Sequence, residues 1–343
     1  MFPTLIPLLL FFIPIHAHNP AWHTLSPIPL FPRQEHSTLF LPPSIIAILG
    51  GVIPTNSTSL IPPFATTPLM QFYNLSSNTW TFRAPLPLPM NHANAAVVNG
   101  TIYLLGGLIE HEDEQGRSWQ ASPASFAYCP VTNTWRALPP LPAAEARGSA
   151  AIGVHDGKIY LAGGMFDLEF YGAQVQNSMA VVSVFDTVTE SWESVPAQAK
   201  FLPEPRDHAG AAVSAGKMYV VGGRDHGMPH VKDTVYVLDL SNLETGWSTS
   251  KARMLTPRGG VAAGLVGRKI YTFGGEGDMS RKSGVFEQVE AYDMETDRWE
   301  SVGKMRMPRH GTYAVGVEGR VYIPGGGILQ GGWPVAHFDV FVP

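Results

Sequence analysis

The sequence predicts an all-β fold built from six copies of one structural unit. Three observations carry that expectation. Gly (35) and Pro (30) are abundant among the 343 residues and charged residues make up only 15%, so turns are frequent and charged helical faces scarce. Gly-Gly pairs recur at 50-51, 106-107, 163-164, 222-223, 274-275 and 325-326. Trp opens a short polar stretch downstream of five of these pairs, at Trp80, Trp135, Trp192, Trp247 and Trp299. Self-similarity at this spacing is the mark of a repeat architecture.

Each unit reads as four segments. The first is small and apolar, as in Gly210-Ala-Ala-Val-Ser, the composition of a strand buried on both faces. A tight turn follows: Asn99-Gly100, Asp156-Gly157, Ala215-Gly216 or Glu318-Gly319, suited to hairpins that need positive φ. The second strand ends in Gly-Gly, with Tyr103, Tyr160, Tyr219, Tyr271 or Tyr322 three residues before it. A variable segment then leads to a third strand ending in a Tyr-Asp-like step, such as Tyr292-Asp293, and the Trp strand completes the unit. The sixth unit stops before any Trp. Trp22-His-Thr-Leu-Ser-Pro, just ahead of the first unit, has the form of the missing strand and is expected to close the ring.

The segment 1-17 is apolar, interrupted by Pro3, Pro7 and Pro14, and too short to span a bilayer. It reads as a secretory signal peptide cut near Ala17, leaving 18-343 as one domain in the secretory pathway or outside the cell. Three glycosylation sequons, at Asn56, Asn74 and Asn99, agree with that. The sole cysteine, Cys129, excludes an intrachain disulfide. A net charge of -5 without a basic run argues against nucleic acid. No membrane span is expected, and nothing calls for more than a monomer or weak dimer.

These residues resemble the kelch repeat, across essentially all of the chain after its leader. The resemblance implies a six-bladed β-propeller, each blade a four-stranded antiparallel sheet around a central channel. Strands are lettered a to d from the channel outward. The segments before strand a and the b-c segments then share one face. That face collects Arg147, Arg206, Arg258 and Arg309, sixteen residues before their Gly-Gly pairs, and His36, His92 and His208, fourteen before theirs. It also collects b-c segments 52-68, 108-124, 165-178, 224-233, 276-288 and 327-335. Their length and variety are expected of binding loops on a rigid scaffold.

Of eight Trp, only Trp119 and Trp333 fall outside the repeat position, and both lie in b-c segments with Phe64, Phe166, Phe170, Tyr171 and Phe286. An aromatic mouth with a few polar groups is the usual form of a small-molecule pocket. Trp119, Phe166, Phe170, Tyr171 and Trp333 are the expected walls; His36, His92, Arg206, His208 and His310 are the expected polar, catalytic positions. The Arg register has a second reading, since a guanidinium can tie strands together through backbone carbonyls. The aromatics can likewise simply pack the loops onto the rim.

No cofactor is expected. The Gly-Gly pairs end strands without opening helices, so they are not a nucleotide fingerprint, and no Gly-x-Ser-x-Gly elbow occurs. Glu110, Glu112, Asp113 and Glu114 read as a solvated acidic loop. Galactose oxidase shares the fold implied here, but its copper site needs a Tyr-Cys crosslink, and Cys129 sits at a c-d turn away from the loop face. The iron-dependent kelch specifier proteins carry Glu, Asp and His ligands in one loop at four-residue spacing, a run this chain lacks. Asp225, His226 and His230 form the nearest metal-like cluster, but Pro229 argues against a helical pair, so no metal is expected there.

The chain also resembles the secreted six-bladed propellers of fungal secondary metabolism. That resemblance implies hetero-Diels–Alder cycloaddition of a tropolone-derived o-quinone methide with a humulene-type terpene in an aromatic pocket. The alternatives are a non-catalytic secreted module binding glycan or protein, and a metal-dependent oxidase.

Overall fold

The computed structural model describes residues 20-56, 62-171 and 175-343. Residues 1–17, read above as a signal peptide, lie outside the described residues. Six four-stranded antiparallel units follow one another around a ring. Blade one is Ser37–Leu41, Ile45–Leu49, Met70–Asn74 and Thr79–Phe82. Blade two is Ala95–Val98, Thr101–Glu112, Arg117–Cys129 and Thr134–Leu138. Blade three is Ala151–His155, Lys158–Glu169, Gln176–Asp186 and Ser191–Glu193. Blade four is Gly210–Ser214, Lys217–Val221, Val235–Asp239 and Trp247–Thr249. Blade five is Ala262–Val266, Lys269–Phe273, Gln288–Asp293 and Arg298–Lys304.

Blade six takes strands a to c from Val315–Val317, Arg320–Pro324 and Phe338–Val342, and strand d from Ala21–Thr24. Trp22 opposes Phe341 in that pairing and packs on Phe341 and Phe273 at ring separations of 4.9 and 5.8 Å. The ring closes as the sequence predicts, with strand c of blade six covered by Ala21–Thr24.

The repeat residues make the inter-blade core. Tyr73, Tyr128 and Tyr292 are buried and each pairs with the Trp of its own blade, ring to ring at 5.0–5.2 Å. Trp80, Trp135, Trp192 and Trp247 donate from Nε1 to the carbonyls of Ser26, Ala84, Pro139 and Ala199, the segments leading out of the blade before. One side chain thus fills the seam and also satisfies its polar atom. The a-b turns of blades two, three, four and six have positive φ at both central residues, 47° and 77° at Asn99-Gly100, for example, the type I′ geometry that suits a twisted hairpin.

The b-c segments are less loop-like than expected. In blades two and three the strands continue past Gly-Gly as long hairpins. Ser118, Trp119 and Gln120 of one pair with Glu169, Leu168 and Asp167 of the other. Val52–Pro54 pairs with Phe64–Thr66, and Gly327–Leu329 with Gly332–Pro334. Alternating residues such as Ser118, Trp119 and Gln120 favour extended backbone, and cross-blade pairing gives their edges partners. Among the described residues, paired β-structure therefore walls the mouth at blades one, two, three and six.

Candidate functional site

The six segments leading into strand a converge on the channel axis. In each, one residue takes a left-handed conformation: Glu35, His92, Ser149, His208, Gly260 and Gly311, with φ of 50–65°. Their backbones hydrogen-bond from blade to blade. Glu35 N donates to Gly311 O (2.6 Å), His92 N to Glu35 O (2.9 Å), Ser149 N to His92 O (2.8 Å) and Gly260 N to His208 O (2.9 Å). His208 N donates to Ser149 Oγ (3.1 Å). The side chains of Glu35, His92 and His208 thereby face the cavity on the axis.

The Arg register two residues earlier does a different job. Arg33, Arg147, Arg206 and Arg309 donate to the carbonyls of Gly50, Gly163, Gly222 and Ile323 at the ends of their own b strands. Arg206 also donates to Tyr236 Oη (3.0 Å) and lies over that ring. These buried arginines tie strand ends inside blades, which is the second reading of the register.

Above the ring is a cavity of about 370 Å³. Trp119, Phe170, Leu168, Met228 and Pro62 are its apolar walls, and Glu35, His92, His208, Arg224 and Glu276 its floor. Trp119 is buried, edge-on to Phe170 at 4.8 Å and 5.1 Å from the His92 ring. Below the ring, strands a line a separate apolar channel of about 260 Å³, with Tyr313 between the two.

The floor is a connected ionic network. His92 Nε2 lies 3.0 Å from both Glu35 Oε2 and His208 Nε2. His208 Nδ1 meets Asp207 Oδ1 at 2.5 Å. Arg224 Nε faces Asp207 Oδ1 (3.2 Å), Nη1 faces Glu276 Oε1 (2.6 Å), and Nη2 faces His208 Nε2 (3.2 Å). His310 Nδ1 is 3.1 Å from Glu276 Oε2, and its Nε2 donates to Leu329 O (2.8 Å).

These contacts place the protons. A guanidinium only donates, so His208 Nε2 accepts and its proton sits on Nδ1, toward Asp207. Asn91 Nδ2 donates to Thr66 Oγ1 (2.7 Å), which turns its Oδ1 toward His92 Nδ1 at 2.6 Å. His92 therefore has acceptors at both nitrogens, like an imidazolium paired with Glu35. Three carboxylates, Glu35, Asp207 and Glu276, are matched by Arg224, His92 and His310.

Titration follows the same logic. Burial alone would raise Glu35, but His92, with His208 and His310, holds it at about 2. Glu276 is depressed, with His310 and Arg224 outweighing its burial. Burial and then Arg224 lower His208. His310 is raised, because Glu276 and Glu35 outweigh its burial.

Of the residues predicted from sequence, His92, His208, Trp119 and Phe170 line the cavity and His310 adjoins its floor through Glu276. His36 is buried behind it, packed against Gly51 and Gly325. Burial and then Arg33 push its pKa down to about 3, so it is neutral. Arg206 serves blade four. Phe166, 42% exposed, lines a depression on the outer side of the hairpins. Tyr171 covers Gly116 and donates to Gln115 Oε1 (3.3 Å). Trp333 is 53% exposed and forms a second apolar pocket with Pro54, Ile328 and Phe64. Phe64 in turn touches Trp119 and Phe170. His226 pairs with Asp225, while His230 turns back to His226 O. Asn56 and Asn99 are exposed, and Asn74 is half-buried with Oδ1 accepting from the turn at Ser76 and Ser77.

Sequence reasoning missed Glu35, Asp207, Arg224 and Glu276. A signal existed for two of them. Arg224 and Glu276 directly follow Gly-Gly, where blades one, two and three carry Val52, Leu108 and Met165.

The comparisons agree with this architecture. Residues 170–333 match the KLHDC2/KLHL20/DRC7 Kelch-repeats domain and 89–142 match the Kelch motif. Kelch-like protein terF of Aspergillus terreus is 39% identical over 326 residues, covering 94% of this chain and 68% of the relative. Beta-scruin of Limulus polyphemus is 26% identical over 295 residues, 83% of this chain but only 30% of that protein. The solved structure of YjhT superimposes with a TM-score of 0.71 at 18% identity, covering 92% of this chain and 95% of that one, a likeness of fold. With six blades closed on one axis and a relative this similar over nearly all of this chain, the chain belongs to the kelch-repeat family of β-propeller proteins.

Proposed function

We propose that this propeller is an enzyme acting on a small, partly aromatic molecule at the loop-face mouth of its channel. One observation carries the reading: a buried ionic floor of two histidines, an arginine and two carboxylates lies directly beneath a wall of Trp119 and Phe170. Burying that many charges is costly unless they are used or fully paired, and such clusters concentrate at functional sites. The walls suit a flat ring; the N–H groups of His92 and Arg224 suit an oxygen that gains negative charge.

The finer proposal is hetero-Diels–Alder cycloaddition. A hydroxymethyl-bearing tropolone would stack on Trp119. Its C–O bond breaks, the hydroxyl leaves as water with a proton from a floor imidazolium, and the ring hydroxyl gives its proton to a floor base. The resulting o-quinone methide stays oriented by donors on its oxygen while an apolar alkene closes on it, a gain from positioning. Secretion and the glycosylation of Asn56, Asn74 and Asn99 belong to the same proposal. A glycan or protein partner is favoured by one feature only, the exposed Trp333 on the rim.

Trp119→Ala should weaken binding of a tropolone-type ligand by about 10-fold or more, from the lost ring contacts. His208→Gln should slow product formation by roughly 10²–10⁴-fold. Ligand binding is read by fluorescence titration, and reaction by the cycloadduct ratio against the spontaneous reaction. A wild-type protein that binds no such ligand and leaves that ratio unchanged would overturn the proposal.

A further inference from the structure

We propose that Glu35, His92 and His208 form a binding site for one first-row divalent cation at the floor of the cavity. The inference goes beyond the reaction proposed above and does not depend on it.

Three features of these residues point to an ion. Their facing atoms, Glu35 Oε2, His92 Nε2 and His208 Nε2, form a triangle with edges of 3.0, 3.0 and 3.9 Å. Such a triangle admits an ion about 2.1 Å from every corner, the bond length of Zn²⁺ to imidazole and carboxylate. Among the described residues this is the group of three ligating side chains close enough to share one ion. Second, each histidine presents Nε2 to the shared point because its Nδ1 is held from behind, by Asn91 Oδ1 at 2.6 Å and by Asp207 Oδ1 at 2.5 Å. Outer hydrogen bonds of this kind fix the ring and tautomer of a metal-binding histidine. Asp207 is itself fixed by Gln176 Nε2 (2.5 Å), by Ser178 Oγ and by Arg224 Nε. Third, all three residues come from left-handed positions tied by backbone hydrogen bonds, so the ligands stand on a rigid ring.

Two imidazoles and one carboxylate suit Zn²⁺, Co²⁺, Fe²⁺ or Mn²⁺ rather than Ca²⁺ or Mg²⁺. The ion would replace the proton that bridges His92 to Glu35 and His208. A 2+ charge then stands where a single proton stood, and the ion takes the His208 Nε2 lone pair that otherwise accepts from Arg224 Nη2 at 3.2 Å. The open side faces the cavity, so an anionic oxygen such as a phenolate, enolate or carboxylate is the ligand that this charge recognises. A cation there polarises the same substrate oxygen that the N–H donors would address. Asp225, His226 and His230 have no comparable arrangement, since His226 Nδ1 is taken by Asp225 and His230 Nδ1 faces a carbonyl.

The test uses the full chain, stripped with a chelator and titrated with Co²⁺ and Zn²⁺ without organic substrate. The expected result is one ion per chain by calorimetry, with visible Co²⁺ absorption bands. Glu35→Gln, His92→Gln and His208→Gln should each weaken binding at least about 10-fold, while a His226→Ala/His230→Ala double variant binds as wild type does. Asn91→Ala, which frees the His92 ring without removing a ligand, should weaken binding less. X-ray absorption of the wild-type Zn²⁺ complex should show nitrogen and oxygen neighbours at about 2.0–2.1 Å, a readout that survives any unstable variant. Absence of saturable binding by folded wild-type protein, or triad variants that bind undiminished, would overturn the site. Neither result touches ligand binding by Trp119, so the two proposals fail separately.

Discussion

Replacing Arg224 with methionine should destabilise the protein by about 3–5 kcal/mol, the cost of stranding buried charges when one partner of a pair is removed. For a chain of this size that lowers Tm by roughly 4–7 °C. Arg224 is fully buried and its guanidinium spans Asp207 and Glu276, so its loss leaves two carboxylates without their cation. The attribution is testable within the same network. Arg224→Met in an Asp207→Asn/Glu276→Gln background should cost far less than in the wild type, because the groups left behind are then neutral. Thermal denaturation of the four proteins gives the coupling directly. If Arg224→Met costs the same in both backgrounds, its role is packing and the floor is not held by charge. Arg224→Lys should not restore stability, since an ammonium cannot make the guanidinium's three separate contacts.

Removing residues 20–26 should open the ring, cost more than any single substitution outside the floor and drive self-association. That segment supplies four strand pairings to Phe338–Val342, the Trp22 contacts to blades five and six, and the Ser26 contacts to Asn78 and Trp80 of blade one. Without it, strand c of blade six becomes a bare edge able to pair with another chain. Size-exclusion chromatography and thermal denaturation would report it; a monomer of unchanged Tm would show that the closure is dispensable. Acid probes the same joint. Asp339 accepts from Arg309 Nη1 (3.0 Å) and His337 Nε2 (2.8 Å) and lies by Thr24 Oγ1. Burial would raise its pKa, but His337 and Arg309 outweigh that and lower it. A depressed carboxylate stabilises the fold above its unfolded pKa, about 3.9, and that contribution is lost as pH falls through the folded value. Asp339→Asn should thus be less stable than wild type at pH 7, with the difference shrinking as pH falls below about 3.9.

The fold was legible because each repeat position has one structural cause. Gly-Gly ends strand b in four blades and leads into a longer hairpin in the other two, Trp fills a seam, and Arg ties a strand end. The site was only partly legible. His92 and His208 stood out because histidine at a fixed register is not needed for packing. Glu35 did not, because the a-b hairpin of blade one is one residue longer than the others. Arg33, not Gln34, holds the arginine register there, and the axial position falls to Glu35 rather than His36. A period counted back from Gly-Gly lands on the wrong neighbour. Arg224 and Glu276 break the apolar pattern after Gly-Gly, but one charge in one blade reads as a solvated loop until the ring brings the two within 2.6 Å.

The ring of left-handed residues also bears on how this scaffold can change its chemistry. It works as a set of six sockets: four of the joints are carbonyl-to-amide bonds that any residue can make, and the one from His208 to Ser149 uses the serine side chain. Left-handed φ restricts the choice mainly to Gly, Asn, Asp, His and similar unbranched residues, which are also most of the groups that bind protons and metals. Here two sockets hold histidine, one glutamate and one serine, and two are left as glycine. The vacancies matter too, because Glu35 leans over Gly311, where an added Cβ would come within 2.1 Å of its Oε1. A near-symmetric ring thereby acquires a lopsided reactive centre, and new specificities could be installed socket by socket without redesigning a strand.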